Sequence, residues 1–145
     1  MNISTTRFGT VTIEEGDVVT FVDGLIGMED CCRWAFLADA ANSALGWMQS
    51  LDRPEVALAV VSPRRFVADY QVRVSRRDIE PLGLKDPGAA QVLVVVSQVD
   101  GSLAINLKAP LVIHLERRLG RQIVVRDDHA VKHRLHSAAP LRKTA

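Results

Sequence analysis

The chain has 145 residues, a length that fits one domain, and its 48% hydrophobic and 24% charged residues exclude a disordered chain. Its 18 Lys and Arg and 17 Asp and Glu give a formal net charge of +1, which argues against a protein that coats nucleic acid. Aromatic residues make up only 5%, too few for a surface built on base stacking.

Most of the chain alternates apolar and polar residues with period two or forms short β-branched runs, which is the pattern of β-strands. Many short strands at this spacing predict a mostly β fold in a single domain, a closed or nearly closed antiparallel barrel or sandwich, with one or two short helices. The predicted strands are Ile3–Arg7, Thr10–Ile13, Val18–Phe21, Arg33–Leu37, Leu45–Leu51, Ala57–Val61, Tyr70–Val74, Val92–Val99, Leu103–Leu107, Leu111–Leu115 and Gln122–Arg126.

One helix is well signalled between these strands. Ser75 and Asp78 have the spacing of a capping box, which predicts a helix that begins there. A proline soon afterwards limits it to one or two turns, and Gly83 is a suitable residue to end it. The segment Glu29–Trp34 is a candidate for a second helical turn.

Charge is unevenly distributed along the chain. Residues 14–39 contain seven acids and one Arg, whereas residues 114–145 contain eight Lys or Arg and three acids. This asymmetry predicts two faces of opposite sign, each suited to a different partner, with an ordinary solvated surface as the alternative. Because hydrophobic patterning fades after Asp128, we divide the chain into a domain of residues 1–128 and a basic, partly ordered tail of residues 129–145.

Targeting signals are not found in the sequence. Residues 1–10 lack the apolar core of a secretory signal, and no apolar run is long enough to span a membrane, so we expect a cytoplasmic protein. The neighbours Cys31 and Cys32 fit neither a zinc site nor a thioredoxin-type motif, and adjacent cysteines rarely form an unstrained disulfide. We interpret them as reduced thiols, one pointing inward and one outward, with a redox role as the alternative.

Motifs for catalysis or cofactor binding are also not found. There is no Gly-rich phosphate loop and no nucleophile elbow. His129, His133 and His136 would share one side of a helix, but a tail offers a metal little rigid support, so a solvated basic tail is favoured. Asp127 and Asp128 would point to opposite faces of a strand. We therefore expect no enzyme activity, no cofactor and no metal.

A binding role has more support. Four arginines lie around one short predicted hairpin, and with basic residues of the tail they form a candidate patch for phosphates or for an acidic protein segment. The low aromatic content favours the protein partner. A small RNA-binding β-barrel that uses the basic C-terminal third stays open as the alternative function. The patch residues are Arg117, Arg118, Arg121, Arg126, Lys132, Arg134, Arg142 and Lys143.

Several segments occur in an informative order along nearly the whole chain. They are Thr6–Gly9, Phe21–Glu29, Trp47–Asp52, Asp69–Tyr70, Leu82–Leu84, Asn106–Ile113 and Gly120–Val124. In order and spacing they resemble the FliW family of flagellar assembly factors. No single segment is specific, but together they are.

The resemblance implies a small cytoplasmic protein with a compact antiparallel β-barrel-like fold that binds flagellin before its export. It also implies that the free protein binds the RNA-binding translational repressor CsrA away from its RNA-binding face, and so relieves repression of flagellin translation allosterically. On this expectation the partners are proteins, with no direct contact to nucleic acid or membrane. The free chain is expected to be a monomer.

The sequence departs from the family at a glycine-rich corner. The family usually has proline where this chain has Val22 and Ile26, and phenylalanine where it has Met28. Loss of each proline enlarges the unfolded ensemble, worth about 0.4–1 kcal/mol when the backbone is unchanged. For Trp47 the core is the favoured position. The glycines interpreted as turn positions are Gly9, Gly24, Gly27 and Gly120.

We assign one partner to the acidic corner, defined as residues Asp23–Asp30, because its negative charge lies on an irregular loop. In this hypothesis charge sets the association rate, while Leu25 and Met28 act as apolar anchors. The arginine patch is assigned to the other partner. Gln49 and Asn106 either bond to neighbouring backbone or line a partner surface. The candidate partner-binding residues are Asp23, Leu25, Met28, Glu29, Asp30, Gln49, Asn106, Arg117, Arg118 and Arg121.

Overall fold

Strands dominate the structure, a computed structural model that describes residues 1–85 and 87–135. These residues include one α-helix, α1 (Arg76–Ile79), and short 3-10 turns, so the predicted mostly β fold is confirmed. The strands are β1 (Asn2–Thr5), β2 (Gly9–Thr12), β3 (Val18–Phe21), β4 (Arg33–Ala38), β5 (Gly46–Ser50), β6 (Ala57–Val61), β7 (Gln91–Val99), β8 (Ser102–Ile105), β9 (Leu111–His114), β10 (Leu119–Gln122) and β11 (His133–Arg134). The 3-10 turns are Glu15–Asp17, Pro63–Arg65, Glu80–Leu82 and Pro87–Ala89.

Seven strands close into a barrel. The order is β7, β6, β5, β4, β3, β10 and β9, and β9 pairs back with β7 to complete the ring. An odd number of strands cannot alternate in direction all the way around a ring, so one pair must be parallel. That pair is β3 and β10, where Leu119 lies beside Thr20 and Gly120 beside Phe21. The barrel is therefore antiparallel, as predicted, except where β3 pairs with β10. We call this parallel pair the closing seam.

The long strand β7 extends the sheet beyond the barrel. One edge of β7 pairs with β6, while the other edge is shared by two strands: Gln91–Leu93 pair with β9 and Val96–Val99 pair with β8. Between β8 and β9 the chain forms a turn in which Asn106 Oδ1 accepts from the N–H groups of Lys108 and Ala109. This turn connects β8, which with β11 forms an extension of the sheet outside the ring, to β9, which belongs to the ring.

The barrel interior is filled by large apolar side chains that leave little room for substitution. Phe21, Trp34 and Met48 are each 0% exposed and belong to one cluster. The indole N–H of Trp34 donates to the carbonyl of Cys31 at 2.9 Å. Trp47, for which the core is predicted with a groove wall as the alternative, is half-buried: it packs against a second apolar cluster, and its indole N–H donates to Asp39 Oδ1 at 3.0 Å.

The predicted strand at Tyr70–Val74 is wrong, because this segment has no strand pairing. Its alternation comes from side chains that point into two apolar clusters, with Tyr70 and Val72 in one and Val74 in the other. The hydroxyl of Tyr70 donates to the carbonyl of Leu107 at 2.7 Å. An extended segment that packs over the core thus reproduces period-two burial without ladder hydrogen bonds.

The predicted helix start is confirmed. The N–H of Asp78 donates to Ser75 Oγ at 3.2 Å, and the N–H of Ser75 donates to Asp78 Oδ2 at 3.3 Å. Gly83, with φ +69°, ends the 3-10 turn that continues α1. The second helical turn predicted at Glu29–Trp34 is wrong, because β4 already begins at Arg33 and tight turns precede it.

The last described residues lie against the sheet. β11 pairs with β8, and the N–H of Leu135 donates to the carbonyl of Leu103 at 2.9 Å. The ring of His129 lies 4.7 Å from that of Tyr70. The predicted domain boundary after residue 128 stays a prediction, and residues 136–145 of the predicted tail lie outside the described residues. Across the part of the chain that is described, no helix is long and apolar enough to cross a membrane.

Candidate partner-binding surface

The acidic corner is built from two consecutive tight turns after β3. The N–H of Gly24 donates to the carbonyl of Phe21 at 2.8 Å, and Leu25 and Met28 exchange two backbone hydrogen bonds of 2.8 and 3.3 Å. Gly24 has φ +66°, and a Cβ at this position would lie 2.6 Å from the backbone of Glu29. Only glycine fits there, so the predicted turn role of Gly24 is confirmed and the corner has a fixed shape.

Gln122 ties the corner to β10 across the closing seam. Its Oε1 accepts from the N–H of Ile26 at 2.8 Å, and its Nε2 donates to the carbonyl of Ala109 at 3.1 Å. A proline at position 26 would have no N–H for this bond. Glu29 Oε2 accepts from the N–H of Gly27 at 2.9 Å on the other side of the turn. The corner is therefore held by hydrogen bonds in place of proline rings.

Two apolar side chains are exposed here: Ile26 within the corner, at 58% exposure, and Val22, the residue just before it, at 73%. Leu25 is only 2% exposed and packs in the barrel core, so the predicted surface anchor at this position is corrected to an internal support. Met28 is half-buried against the same core. A third apolar side chain, Val124, is 58% exposed and lies two residues after Gln122, which accepts from the N–H of Ile26.

Sequence reasoning missed Val22 and Ile26 because strand alternation does not apply inside tight turns. Each residue is the second of its four-residue turn, a position whose side chain points to solvent. The signal was available, since glycine follows Ile26 directly and follows Val22 after one residue. Central turn positions beside glycine therefore identify the two exposed residues.

Two of the three acids of the corner have ion pairs within the chain. Asp23 Oδ2 lies 3.6 Å from Arg121 Nε, and Asp30 Oδ2 lies 3.8 Å from Arg53 Nη1. Arg121 also donates from Nη1 to the carbonyl of Asp78 at 2.8 Å. These ion pairs are solvent-exposed and each is worth little on its own. Their position matters more, because the acidic corner and Arg121 form one continuous surface, not two separate faces.

Arg117 and Arg118 lie in the turn between β9 and β10 and contact other parts of the chain than Arg121 does. Arg118 donates from Nη1 to the carbonyl of Glu15 at 2.7 Å, and its Nη2 lies 3.7 Å from Glu15 Oε1. The guanidinium of Arg117 packs against the chain at Gly83. The predicted patch thus divides in two, and its members Arg142 and Lys143 lie outside the described residues.

Gln49 is fully buried and therefore does not line a surface in this structure. Its Nε2 donates to the carbonyls of Ser50, Pro54 and Val56 at 3.0–3.2 Å. Its Oε1 has no partner among the described residues. Asn106 holds its own turn, as described above. Both side chains bond to neighbouring backbone, the first of the two interpretations of the sequence.

The other reactive side chains within residues 1–85 and 87–135 do not form a metal site. Cys31 is buried and Cys32 half-buried, as alternation predicts, and both are free thiols. Cys32 Sγ donates to the carbonyl of Val22 at 3.6 Å, which places it beneath the corner. Among the described residues, no group of three or more His, Cys, Asp or Glu is arranged to hold a metal ion. His136 lies outside those residues.

The fold and this surface define a small closed β-barrel that presents a rigid corner of apolar and charged side chains. The family model described as FliW protein matches residues 2–135 of the chain. The chain belongs to the FliW family of flagellar assembly factors, as the sequence motifs predicted.

Two relatives support this membership. The chain is 34% identical over 139 residues to the flagellar assembly factor FliW of Natranaerobius thermophilus, covering 93% of this chain and 92% of the relative. It is 35% identical over 131 residues to that of Bdellovibrio bacteriovorus, covering 89% and 75%. A crystal structure of the flagellar assembly factor FliW has a TM-score of 0.86 at 24% identity and covers 95% of this chain and 99% of that chain, which shows the same fold.

Proposed function

We propose that this flagellar assembly factor binds flagellin in the cytoplasm before its export and, when free, binds the translational repressor CsrA. Binding away from the RNA-binding face of CsrA relieves repression of flagellin translation allosterically. The chain acts by exchanging protein partners, as a monomer when free, and without catalysis, a cofactor, nucleic acid or membrane. Its membership of the FliW family supports this function, and the acidic corner supplies a surface suited to it.

The observation that carries the proposal is the pair of aliphatic side chains at the tips of two fixed turns. Val22 and Ile26 are largely exposed, while Gly24 and Gln122 hold the backbone beneath them. A partner that buries these side chains has no loop to order, so less of the contact energy is lost on binding. A few central apolar residues of this kind dominate the energy of most protein interfaces.

The acids around this pair have a second role in the proposal. Asp23, Glu29 and Asp30 lie in or just after the two turns that carry the apolar tips, and arginines beside Asp23 and Asp30 offset part of their charge. Charge at the rim of an interface mainly raises the association rate, whereas buried apolar contacts mainly lower the dissociation rate. The corner therefore suits fast capture of a newly made partner. Arg117 and Arg118, in the turn between β9 and β10, are assigned to the second partner.

The test begins with co-purification from motile cells, followed by calorimetric titration and stopped-flow measurement of the association rate with flagellin and with CsrA. A variant that carries Asp23→Asn, Glu29→Gln and Asp30→Asn is compared with a control that carries Asp69→Asn, Glu116→Gln and Asp128→Asn. Each variant removes three acids outside the core. The corner variant is expected to bind one of the two proteins about tenfold more slowly at low salt, with the control unchanged.

The outcomes separate the site from the function. If a folded corner variant keeps the wild-type affinity and association rate for both proteins, the placement of the site at the corner is wrong. If the wild-type chain binds neither flagellin nor CsrA, the proposed function itself is wrong.

A further inference from the structure

We propose that a second surface, the arginine cleft, binds an acidic, extended segment of a protein partner. The arginine cleft is defined by Arg33, Arg117 and Arg118 around a floor of Val18 and Leu119, and it encloses about 240 Å³. The inference rests on the proposed function, because it states which chemistry the second partner of a flagellar assembly factor must offer. No residue of the acidic corner lines the cleft, which revises the predicted patch.

Strand register builds the cleft. Thr20 in β3 pairs with Arg33 in β4 on one side and with Leu119 in β10 on the other. Residues that face each other across paired strands point to the same side of the sheet, so these three side chains form a row. Val18 lies two residues before Thr20 and shares that side. Since Phe21, next to Thr20, points into the core, the row lies on the outer surface of the barrel.

The turn between β9 and β10 adds two further arginines at the rim. Arg118 has φ +56°, in the left-handed region that costs a residue with a Cβ on the order of 1 kcal/mol and that favours Gly or Asn. The side chain at this strained position bonds to Glu15, which fixes its guanidinium at the edge of the cleft. An arginine therefore occupies a position at which glycine would have the lower backbone conformational energy.

The charge of the cleft is only partly compensated within the chain. Glu15 is the acid that lines it, and this acid is engaged by Arg118. Among the described residues, neither Arg33 nor Arg117 has a carboxylate within 4.0 Å. Arg33 and Arg117 therefore carry uncompensated charge beside an apolar floor, with one side of the Arg117 guanidinium covered by Gly83.

This combination fits a peptide better than a nucleic acid. Guanidinium groups bind carboxylates with paired hydrogen bonds, and the floor of Val18 and Leu119 accepts aliphatic side chains. The described residues that line the cleft include no aromatic ring on which a base could stack. The cleft therefore selects a segment in which acidic and aliphatic residues are interspersed.

The test uses a fluorescein-labelled peptide of the sequence EELEELEE and measures fluorescence anisotropy with the full chain. The cleft variant carries Arg33→Glu and Arg117→Glu. The control variant carries Arg126→Glu and Lys132→Glu, which make the same change of charge at exposed positions of the predicted patch. Thermal unfolding verifies that both variants are folded.

The wild-type chain is expected to bind the peptide, and the cleft variant at least about tenfold more weakly, while the control keeps most of the affinity. Raising the salt from about 0.1 M to about 1 M shortens the screening length from about 10 Å to about 3 Å and should weaken the complex. Equal losses in both variants, no binding by the wild type, or equally tight binding of an eight-nucleotide uridine oligomer would each overturn the proposal.

The same proteins, titrated with flagellin and with CsrA, separate this inference from the proposed function. If the peptide binds in the cleft but neither flagellin nor CsrA binds the chain, the proposed function is wrong and the cleft stands. If either protein binds the wild type while the peptide does not, the inference about the cleft is wrong and the proposed function stands.

Discussion

The closing seam of the barrel gives the sharpest stability prediction, through the substitution Gly120→Ala. Gly120 pairs with Phe21 where β10 and β3 run parallel. A Cβ at position 120 would lie 2.5 Å from Phe21 Cζ and 2.6 Å from Cε2. The backbone of Gly120 is not in the left-handed region, so its interpretation as a turn glycine is corrected: the residue is glycine because the phenylalanine ring occupies the space of a side chain.

The magnitude follows from the burial of that ring. Phe21 is 0% exposed and cannot move away without displacing its core neighbours. Overpacking of this kind costs about 1–3 kcal/mol. Replacing a strand glycine by alanine recovers about 0.5–1 kcal/mol. The net cost lies between about 0 and 2.5 kcal/mol, so we expect the free energy of unfolding to fall by about 1 kcal/mol and the Tm of a chain of this length by about 2–4 °C.

Gly46→Ala is the matched control, because a Cβ at Gly46 would lie 3.4 Å from Val60 Cγ2, an ordinary contact. Calorimetric unfolding should show a lower Tm for Gly120→Ala and an unchanged or higher Tm for Gly46→Ala. Phe21→Leu should lower the free energy of unfolding less in the Gly120→Ala chain than in the Gly46→Ala chain, because the smaller side chain frees space for the new Cβ at position 120. Equal Tm values for the two alanine variants, with no such coupling, would refute this explanation of Gly120.

Three other predictions test the surroundings of the barrel. Burial raises the pKa of Tyr70, the only tyrosine of the chain, to about 12, so the stability linked to its protonation is present below pH 10.0 and lost as the pH rises toward 12. An ultraviolet titration midpoint near 10 would contradict the burial. The hydrogen bond from the Trp47 indole, followed by two backbone N–H groups, lowers the pKa of Asp39 below 3.8. The stability of this loop should therefore persist above pH 3.8 and be lost as the pH falls through the lowered pKa. Trp47 fluorescence, measured in a Trp34→Phe background, reports this change. A fluorescence change that occurs above pH 3.8 would contradict the prediction. Gln122→Ala removes two hydrogen bonds and should cost about 1–2 kcal/mol and speed amide exchange at Ile26, whereas unchanged exchange would show that the corner is held in another way.

Much of the fold follows from local patterns in the sequence. The period-two runs locate most of the barrel strands, because one face of each strand is buried and the other is not. The capping box at Ser75 and Asp78 fixes the start of α1, because its two hydrogen bonds depend only on residues three apart. The order of the motifs, from Thr6–Gly9 to Gly120–Val124, is enough to indicate the family.

Features that depend on distant contacts do not follow from local patterns. An odd number of strands in the ring requires a parallel pair, and the strand order makes β3 and β10 that pair. No local pattern encodes the number or the order of the strands. Charge counted along the chain places Asp23 and Arg121 on different faces, although they lie 3.6 Å apart across the seam. The sequence does not distinguish Leu25 from Ile26, because which of two neighbouring turn residues points inward depends on the turn geometry. Arg33 joins the arginine cleft only through its register with Thr20.

The most direct test of the account is calorimetric titration of a Val22→Ser, Ile26→Ser variant with flagellin and with CsrA. These largely exposed side chains are worth about 1 kcal/mol each when a partner buries them, so the pair corresponds to about a thirtyfold change in affinity. Val131→Ser, at a position 57% exposed elsewhere, is the control. The account predicts that the double variant, with the Tm of the wild type, binds at least one of the two proteins about thirtyfold more weakly while the control does not. Wild-type affinity for both proteins would contradict it.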